Sequence, residues 1–314
     1  MNLARHILVK LSESRWLREH APHFRFVRAA AARFMPGEKM DDALGAARSL
    51  TASGLATLLT ELGENVTERA EAEAVVTHYL ELLGRIGAAG LPTEVSVKLT
   101  QLGLDLDPEF CYANLVKLIE RSRGDSPARA KTLWIDMEQS PYVERTLEMY
   151  VRARKAYPNV GVAVQAYLYR TEKDVASLIP LGAAVRLVKG AYSEGPEIAF
   201  PKKQDVDDQY FRLAQALLGP EARRAGVRAV MATHDPRLIA RLTDWAAAHS
   251  IPHGELEFAM LFGIQRAEQL RLARKGYSSG VLISYGSFWF PWFMRRLAER
   301  PANVWFVVRN LFSS

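Results

Sequence analysis

The chain has 314 residues, with 41 Lys and Arg against 35 Asp and Glu, a net charge of +6 and a pI near 9.4. That length excludes a small disulfide-stapled scaffold and admits one large α/β barrel or two domains, and 49% hydrophobic with 24% charged residues excludes a disordered tail protein. The single cysteine, Cys111, excludes an internal disulfide and a zinc site built on paired cysteines, while the basic excess raises the question of an anionic partner such as nucleic acid, phosphate or lipid.

Residues 1–19 are basic and carry Leu3, Ile7, Leu8 and Leu11 at helical spacing, but Arg5, Lys10, Glu13 and Arg15 break up any secretory apolar core. The segment reads as a helix docked on the body, with a membrane-surface or transit-peptide helix as the alternative. Nowhere is an apolar run long enough to span a bilayer of about 30 Å. Up to about Gly90 the pattern stays helical: 41–61 and 67–88 are rich in Ala and Leu and are broken at Gly63-Glu64-Asn65, which defines an N-terminal helical arm over residues 1–90. The period then changes. Runs beginning near Val95, Thr132, Val160, Ala183, Arg228, Leu256, Val281 and Val304 predict eight strands within residues 91–314. Between them, Asp107-Pro108, Ser140-Pro141 and Asp235-Pro236 each set a capping side chain before a proline at the first helical position, and Thr171-Glu172-Lys173-Asp174 resembles a capping box. Strands that alternate with helices require parallel pairing, and eight such units predict a (β/α)8 barrel.

In such a barrel the C-terminal strand ends carry the chemistry. Here they hold Lys98, Asp136, Glu138, Gln165, Arg186, Lys189, Thr233, His234 and Tyr285. Lys98 and Asp136 alternate with apolar neighbours, so each lies on a face of its own, as an internal salt bridge or as a substrate site. Arg186 and Lys189 precede Gly190-Ala191-Tyr192, a small-residue stretch where a planar cofactor could approach the backbone. Near the C-terminus Arg295 and Arg296 sit on a helix whose preceding turn is Phe288-Trp289-Phe290-Pro291-Trp292-Phe293. Forked guanidiniums in so apolar a setting need an anion, and a carboxylate or phosphate suits them.

Other strings fail on context. Gly276-Tyr277-Ser278-Ser279-Gly280 precedes a strand, whereas a nucleophile elbow must follow one. His249 and His253 are separated by Pro252, which breaks the helix a metal pair would need. No dinucleotide fingerprint or phosphate loop occurs, no metal site is expected, and the basic residues are too scattered for a nucleic-acid groove.

Eight strings in chain order, LGENV (62–66), SVKLTQLG (96–103), WIDMEQS (134–140), VQAYLYR (164–170), RLVKGAY (186–192), ATHD (232–235), EFAML (257–261) and RRLAERPAN (295–303), resemble the proline dehydrogenase family of flavoenzymes. The resemblance implies a distorted (β/α)8 TIM-type barrel with an N-terminal helical arm, bound FAD, and oxidation of L-proline to 1-pyrroline-5-carboxylate, with electrons passed to a quinone. It implies that Arg295, Arg296 and Lys98 grip the proline carboxylate, that Leu261, Tyr285 and Asp136 shape the ring pocket, and that Arg186 lies near the reactive flavin edge. Asp136 and Arg186 are the catalytic candidates. Met137, Gln165, Lys189, Gly190, Ala191, Thr233 and His234 match FAD contacts, and Glu64 matches a gate that pairs with the second arginine. The family usually has a tyrosine three residues before the arginine pair; this chain has Trp292 in that wall. Implied partners are a quinone, a separate pyrroline-5-carboxylate dehydrogenase and a peripheral membrane contact at the inner face of a cytoplasmic protein, with no nucleic acid.

Two other readings compete with this one. The first is a barrel aldolase or lyase using Lys98 or Lys189 as a Schiff-base nucleophile, and the second is a basic RNA- or membrane-binding module. Arg296→Met separates a clamp from a solvated basic face. It should raise the proline KM far more than it lowers flavin content, and steady-state kinetics that leave KM unchanged would remove Arg296 from the clamp.

Overall fold

The computed structural model describes residues 24–63, 65–124 and 130–299, without the side chains of residues 25, 26 and 295–299. Helices α1 (Arg25–Ala31) and α2 (Met40–Ala52) lead into β1 (Ala56–Glu61). Alternation follows: α3 (Arg69–Ala88), β2 (Thr93–Val97), α4 (Pro108–Ser122), β3 (Leu133–Ile135), α5 (Val143–Ala156), β4 (Val160–Gln165), α6 (Thr171–Leu178) and β5 (Ala184–Val188). The second half runs α7 (Lys203–Leu218), α8 (Pro220–Ala225), β6 (Arg228–Ala232), α9 (Pro236–Ala248), β7 (Glu257–Leu261), α10 (Arg266–Arg274), β8 (Ser278–Tyr285) and α11 (Trp289–Glu299). The strands close in chain order into a parallel eight-stranded barrel, with β8 returning to β1 from Ala56 opposite Gly280 to Glu61 opposite Tyr285.

The strands bury both faces, which is why they read as continuous apolar runs. Their outward positions, among them Leu59, Val95, Val97, Ile135, Val162, Val185, Met231, Phe258 and Ile283, pack beneath the helices in the main core. Inward positions Leu58, Trp134, Ala184, Val230 and Ala259 form a smaller cluster inside the barrel. The expected caps hold at α4, where Asp107 Oδ1 accepts from the Glu109 and Phe110 amides, and at α9, where Asp235 Oδ1 accepts from the Arg237 amide. At α6 there is no side-chain cap; the Thr171 hydroxyl turns back to donate to the Gln165 carbonyl at 2.5 Å.

Strand β1 departs from the sequence expectation. Residues 41–61 predict a single helix in the arm, but the helix stops at Ala52 and β1 follows, so the barrel begins within residues 1–90. Leu58 faces the barrel interior and Leu59 the helix layer, and a strand buried on both sides lacks the alternation that distinguishes it from a helical continuation. Gly54, at φ +79, marks the break. The eighth strand expected near Val304 lies outside the described residues, and β8 is the run near Val281.

This shift changes what covers the last strand. Helix α2 lies along β1 and β8, with Met40, Ala43, Leu44, Ala47 and Leu50 in the main core. It occupies the seat that a final barrel helix would take. Helix α11 packs elsewhere, in a separate apolar cluster with Val27, Ala30, Ala31, Phe34 and Met35 of the arm, Leu62 after β1, and Leu261 and Ile264 at the end of β7. The arm backbone comes so close that a Cβ on Gly263, at φ +74, would lie 1.5 Å from the Arg33 carbonyl oxygen. Gly263→Ala should therefore destabilise the fold by about 2 kcal/mol or more. Gly45→Ala, in the open interior of α2, should stabilise by about 0.5–1 kcal/mol. Denaturant midpoints that move in the same direction would contradict this arrangement.

Candidate active site

The barrel interior is layered by charge. At the N-terminal end Arg228 is chelated by two carboxylates: Nη1 donates to Glu94 Oε1 at 2.6 Å, while Nε and Nη2 donate to Glu257 at 2.7 and 2.9 Å. Trp134 lies above it, its indole N–H donating to Glu94 at 2.7 Å. Its ring is near the Arg228 guanidinium on one side, at 5.4 Å, and the Arg186 guanidinium, at 5.3 Å. A cavity of about 40 Å³ lined by these residues is at the wrong end of the barrel for chemistry and has room for a few waters.

Asp136, Arg186 and Ser96 form the next layer. Arg186 Nη2 forms an ion pair with Asp136 Oδ1 and donates to Ser96 Oγ at 3.0 Å, and Ser96 Oγ donates to the same carboxylate oxygen at 2.8 Å. The Arg186 side chain is 4% exposed and that of Asp136 19%. Arg186 Nη1 is buried with no hydrogen-bond partner among the described residues. A buried guanidinium N–H calls for an acceptor, which water or a ligand can supply.

Above this layer the strand ends gather most of the remaining candidates. Lys98 is buried and its Nζ donates to the Gly63 carbonyl at 2.9 Å, tying the end of β2 to the loop that follows β1. The Thr100 hydroxyl donates to Glu138 at 2.7 Å, and Gln165 Nε2 donates to the Glu138 carbonyl at 2.7 Å. Lys189 forms ion pairs with Asp207 and, at 3.0 Å, with Asp235; Thr233 Oγ1 accepts from the Asp235 amide at 3.2 Å. Burial opposes the charge on Asp235, but Lys189 and Lys203 outweigh it and hold the carboxyl well below its usual range. His234 Nε2 accepts from the Leu261 amide at 2.9 Å, which assigns the ring proton to Nδ1 in the neutral form. Gly190, at φ +117, packs so closely on Tyr167 that a Cβ would lie 2.1 Å from the ring, and Ala191 beside it is half-buried.

Other candidates stand apart. Met137 is packed in the main core rather than in the layer of its neighbour Asp136, because successive residues of an extended segment face opposite ways. Tyr285, expected in the ring pocket, shares the outward face with Val281 and Ile283 and is fully buried beneath the helices. Its hydroxyl is 2.8 Å from Nε2 of His78 on α3. Trp292 lies in the arm cluster, which Leu261 also borders. Arg295 and Arg296 are on α11, but their side chains, like Glu64, lie outside the described residues.

Ser96, Asp207 and the Glu94–Arg228–Glu257 set were not singled out from sequence. Glu94 and Ser96 were visible as inward alternates of Lys98; Asp207 sits mid-helix with no local signal. His78 and Glu61 were likewise missed. Glu61 Oε2 lies 3.6 Å from His78 Nε2, and burial raises the Glu61 carboxyl from 4.5 to about 7. The cost of burying its charge is thus absent below pH 4.5 and complete above about 7, so this group makes stability fall as pH rises. His78, lowered mainly by burial, acts in the opposite direction. Glu61→Gln removes the first effect and keeps the second. The Tm of the variant minus that of the wild type should grow between about pH 4.5 and 8, and a flat difference would contradict the buried carboxyl.

Residues 43–309 match the family model described as proline dehydrogenase. Proline dehydrogenase 2 of Bacillus subtilis (strain 168) is 34% identical over 309 residues, covering 98% of this chain and 99% of the relative. Proline dehydrogenase of Deinococcus radiodurans is 35% identical over 286 residues, covering 90% and 89%. Among solved structures, proline utilization A from Bdellovibrio bacteriovorus inactivated by N-propargylglycine superposes with a TM-score of 0.80 at 24% identity, covering 95% of this chain. The chain spans only 36% of that longer protein, and the likeness concerns the barrel fold. Fold, family model and near-full-length relatives agree: the chain belongs to the proline dehydrogenase family.

Proposed function

We propose that this chain is an FAD-dependent proline dehydrogenase that oxidises L-proline to 1-pyrroline-5-carboxylate and passes the electrons to a quinone, opening proline catabolism. The observation that carries the reading is the Arg186–Asp136–Ser96 layer with its unpartnered Nη1, in a chain of this family. A flavin fits these residues on one count: a buried guanidinium N–H lacks an acceptor among the described residues.

When bound, the flavin supplies the hydride acceptor. The chain's own residues do the rest. Asp136 and Ser96 hold Arg186 in one orientation, so little reorganisation of the guanidinium is needed as negative charge develops beside it. With Oδ1 engaged by both partners, Asp136 orients the guanidinium. Gln165, Lys189, Gly190, Ala191, Thr233 and His234 line the strand ends on the cofactor side. Lys98, Arg295 and Arg296 are assigned to the proline carboxylate, and Leu261 and Trp292 to the ring; fixing the carboxylate orients the C–H bond that breaks. Tyr285 acts from behind the wall, through His78 and the end of β8. The arm cluster covers this end with apolar surface and excludes water.

A Schiff-base lyase is less well supported, since Lys98 Nζ is engaged by the Gly63 carbonyl and Lys189 Nζ by two carboxylates. No helix among the described residues is long and apolar enough to cross a membrane. Access to the quinone is assigned to peripheral contact at the inner face of the cell membrane, and the product to a separate dehydrogenase. The test is an absorbance spectrum before and after anaerobic proline. Purified protein should show flavin bands that bleach on addition of proline; a colourless protein, or bands that persist, would overturn the proposal.

A further inference from the structure

Helix α11 carries the two arginines, yet the wall of the barrel where a final helix would dock is already taken by α2. Its described apolar side chains pack instead with the arm. The Phe34 and Phe293 rings approach to 6.1 Å. The first residue of α11, Trp289, is 2% exposed, and its indole N–H donates to Glu38 Oε1 at 2.9 Å. A buried indole N–H needs a partner, and this is the one it has.

Glu38 is well placed for the task. It stands two residues before α2, the helix locked onto β1 and β8, so its position is referred to the barrel wall. It also lies at the N-terminal end of a helix whose own first turn carries no acidic residue, where a carboxylate complements the helix dipole. One side chain therefore provides the hydrogen-bond acceptor and the negative charge that the start of α11 lacks.

We propose that Glu38, through its hydrogen bond to Trp289 and with Phe34 packed on the same helix, is a positioning residue that sets α11 over the barrel mouth and so holds the substrate-carboxylate clamp in register. The clamp half of this statement rests on the proline dehydrogenase reading; the positioning of α11 does not. The arm is on this account part of the active-site machinery.

The experiment compares wild type with Glu38→Ala, Glu38→Gln, Trp289→Phe and Phe34→Ala as intact chains. Two readouts are taken: amide hydrogen exchange across residues 289–294, and proline KM against kcat with flavin content as a control for folding. Glu38→Ala and Trp289→Phe should speed exchange in α11 and raise KM about fivefold with kcat and flavin content nearly unchanged, the size expected for loss of one hydrogen bond. Glu38→Gln, which keeps the acceptor, should recover most of the KM. Phe34→Ala should exceed both, and if it loses flavin through misfolding the two hydrogen-bond variants still decide. Unchanged exchange in Glu38→Ala would overturn the positioning of α11, whatever the enzyme does. Faster exchange with unchanged KM would overturn its link to the clamp. A wild type that binds flavin but does not oxidise proline would sink the functional reading while leaving the exchange result to stand or fall on its own.

Discussion

A guanidinium inside a closed barrel is costly unless it is paired, and the pairing of Arg186 with Asp136 is the constraint around which the interior is arranged. The two residues come from β5 and the end of β3, so their contact reaches across the intervening β4, and Ser96 from β2 completes the triangle. Beneath them Trp134 fills the barrel. It fits because Gly161 faces it: a Cβ there would lie 2.6 Å from the indole. Below the indole, Glu94 and Glu257 neutralise Arg228. Each layer satisfies its own charges, with one exception, the Arg186 Nη1 group that is left over. That departure from complete satisfaction is the feature on which the proposed flavin site rests.

The second organising fact is the exchange of helices around β8. A barrel that begins with a helix packed on its first and last strands has no wall left for its last helix. Helix α2 takes that place, and α11 shares an apolar cluster with the arm and with the loops that follow β1 and β7. Because Leu62, Leu261 and Trp292 all belong to or border that cluster, the arm, the end of β1, the end of β7 and α11 share one apolar core. Lys98 adds a polar tie to the loop after β1 through Gly63.

Much of this was legible in the sequence, for reasons that differ by residue. The βα alternation and the Asp-Pro helix starts at 107–108 and 235–236 are local signals, and the structure contains them. The polar strand ends stood out because Lys98, Asp136 and Arg186 interrupt apolar runs. Strand β1 is hidden because a doubly buried strand has no period of two, and Tyr285 is placed in the pocket by the family resemblance, whereas alternation along β8 puts it with Val281 and Ile283 on the outward face. Partners such as Ser96, Asp207 and His78 are ordinary residues whose significance arises only when distant segments meet; nothing in their own neighbourhoods announces it.

The most direct test of the central claim is a double-mutant cycle on Asp136 and Arg186 read by denaturant unfolding. Removing either partner strands a buried charge, so Asp136→Ala and Arg186→Ala should each destabilise by about 3 kcal/mol. The double variant should lose less than the sum of the two, leaving a coupling of about 2 kcal/mol. Losses that add within about 0.5 kcal/mol would mean that the pair is incidental and that the interior is not organised around it.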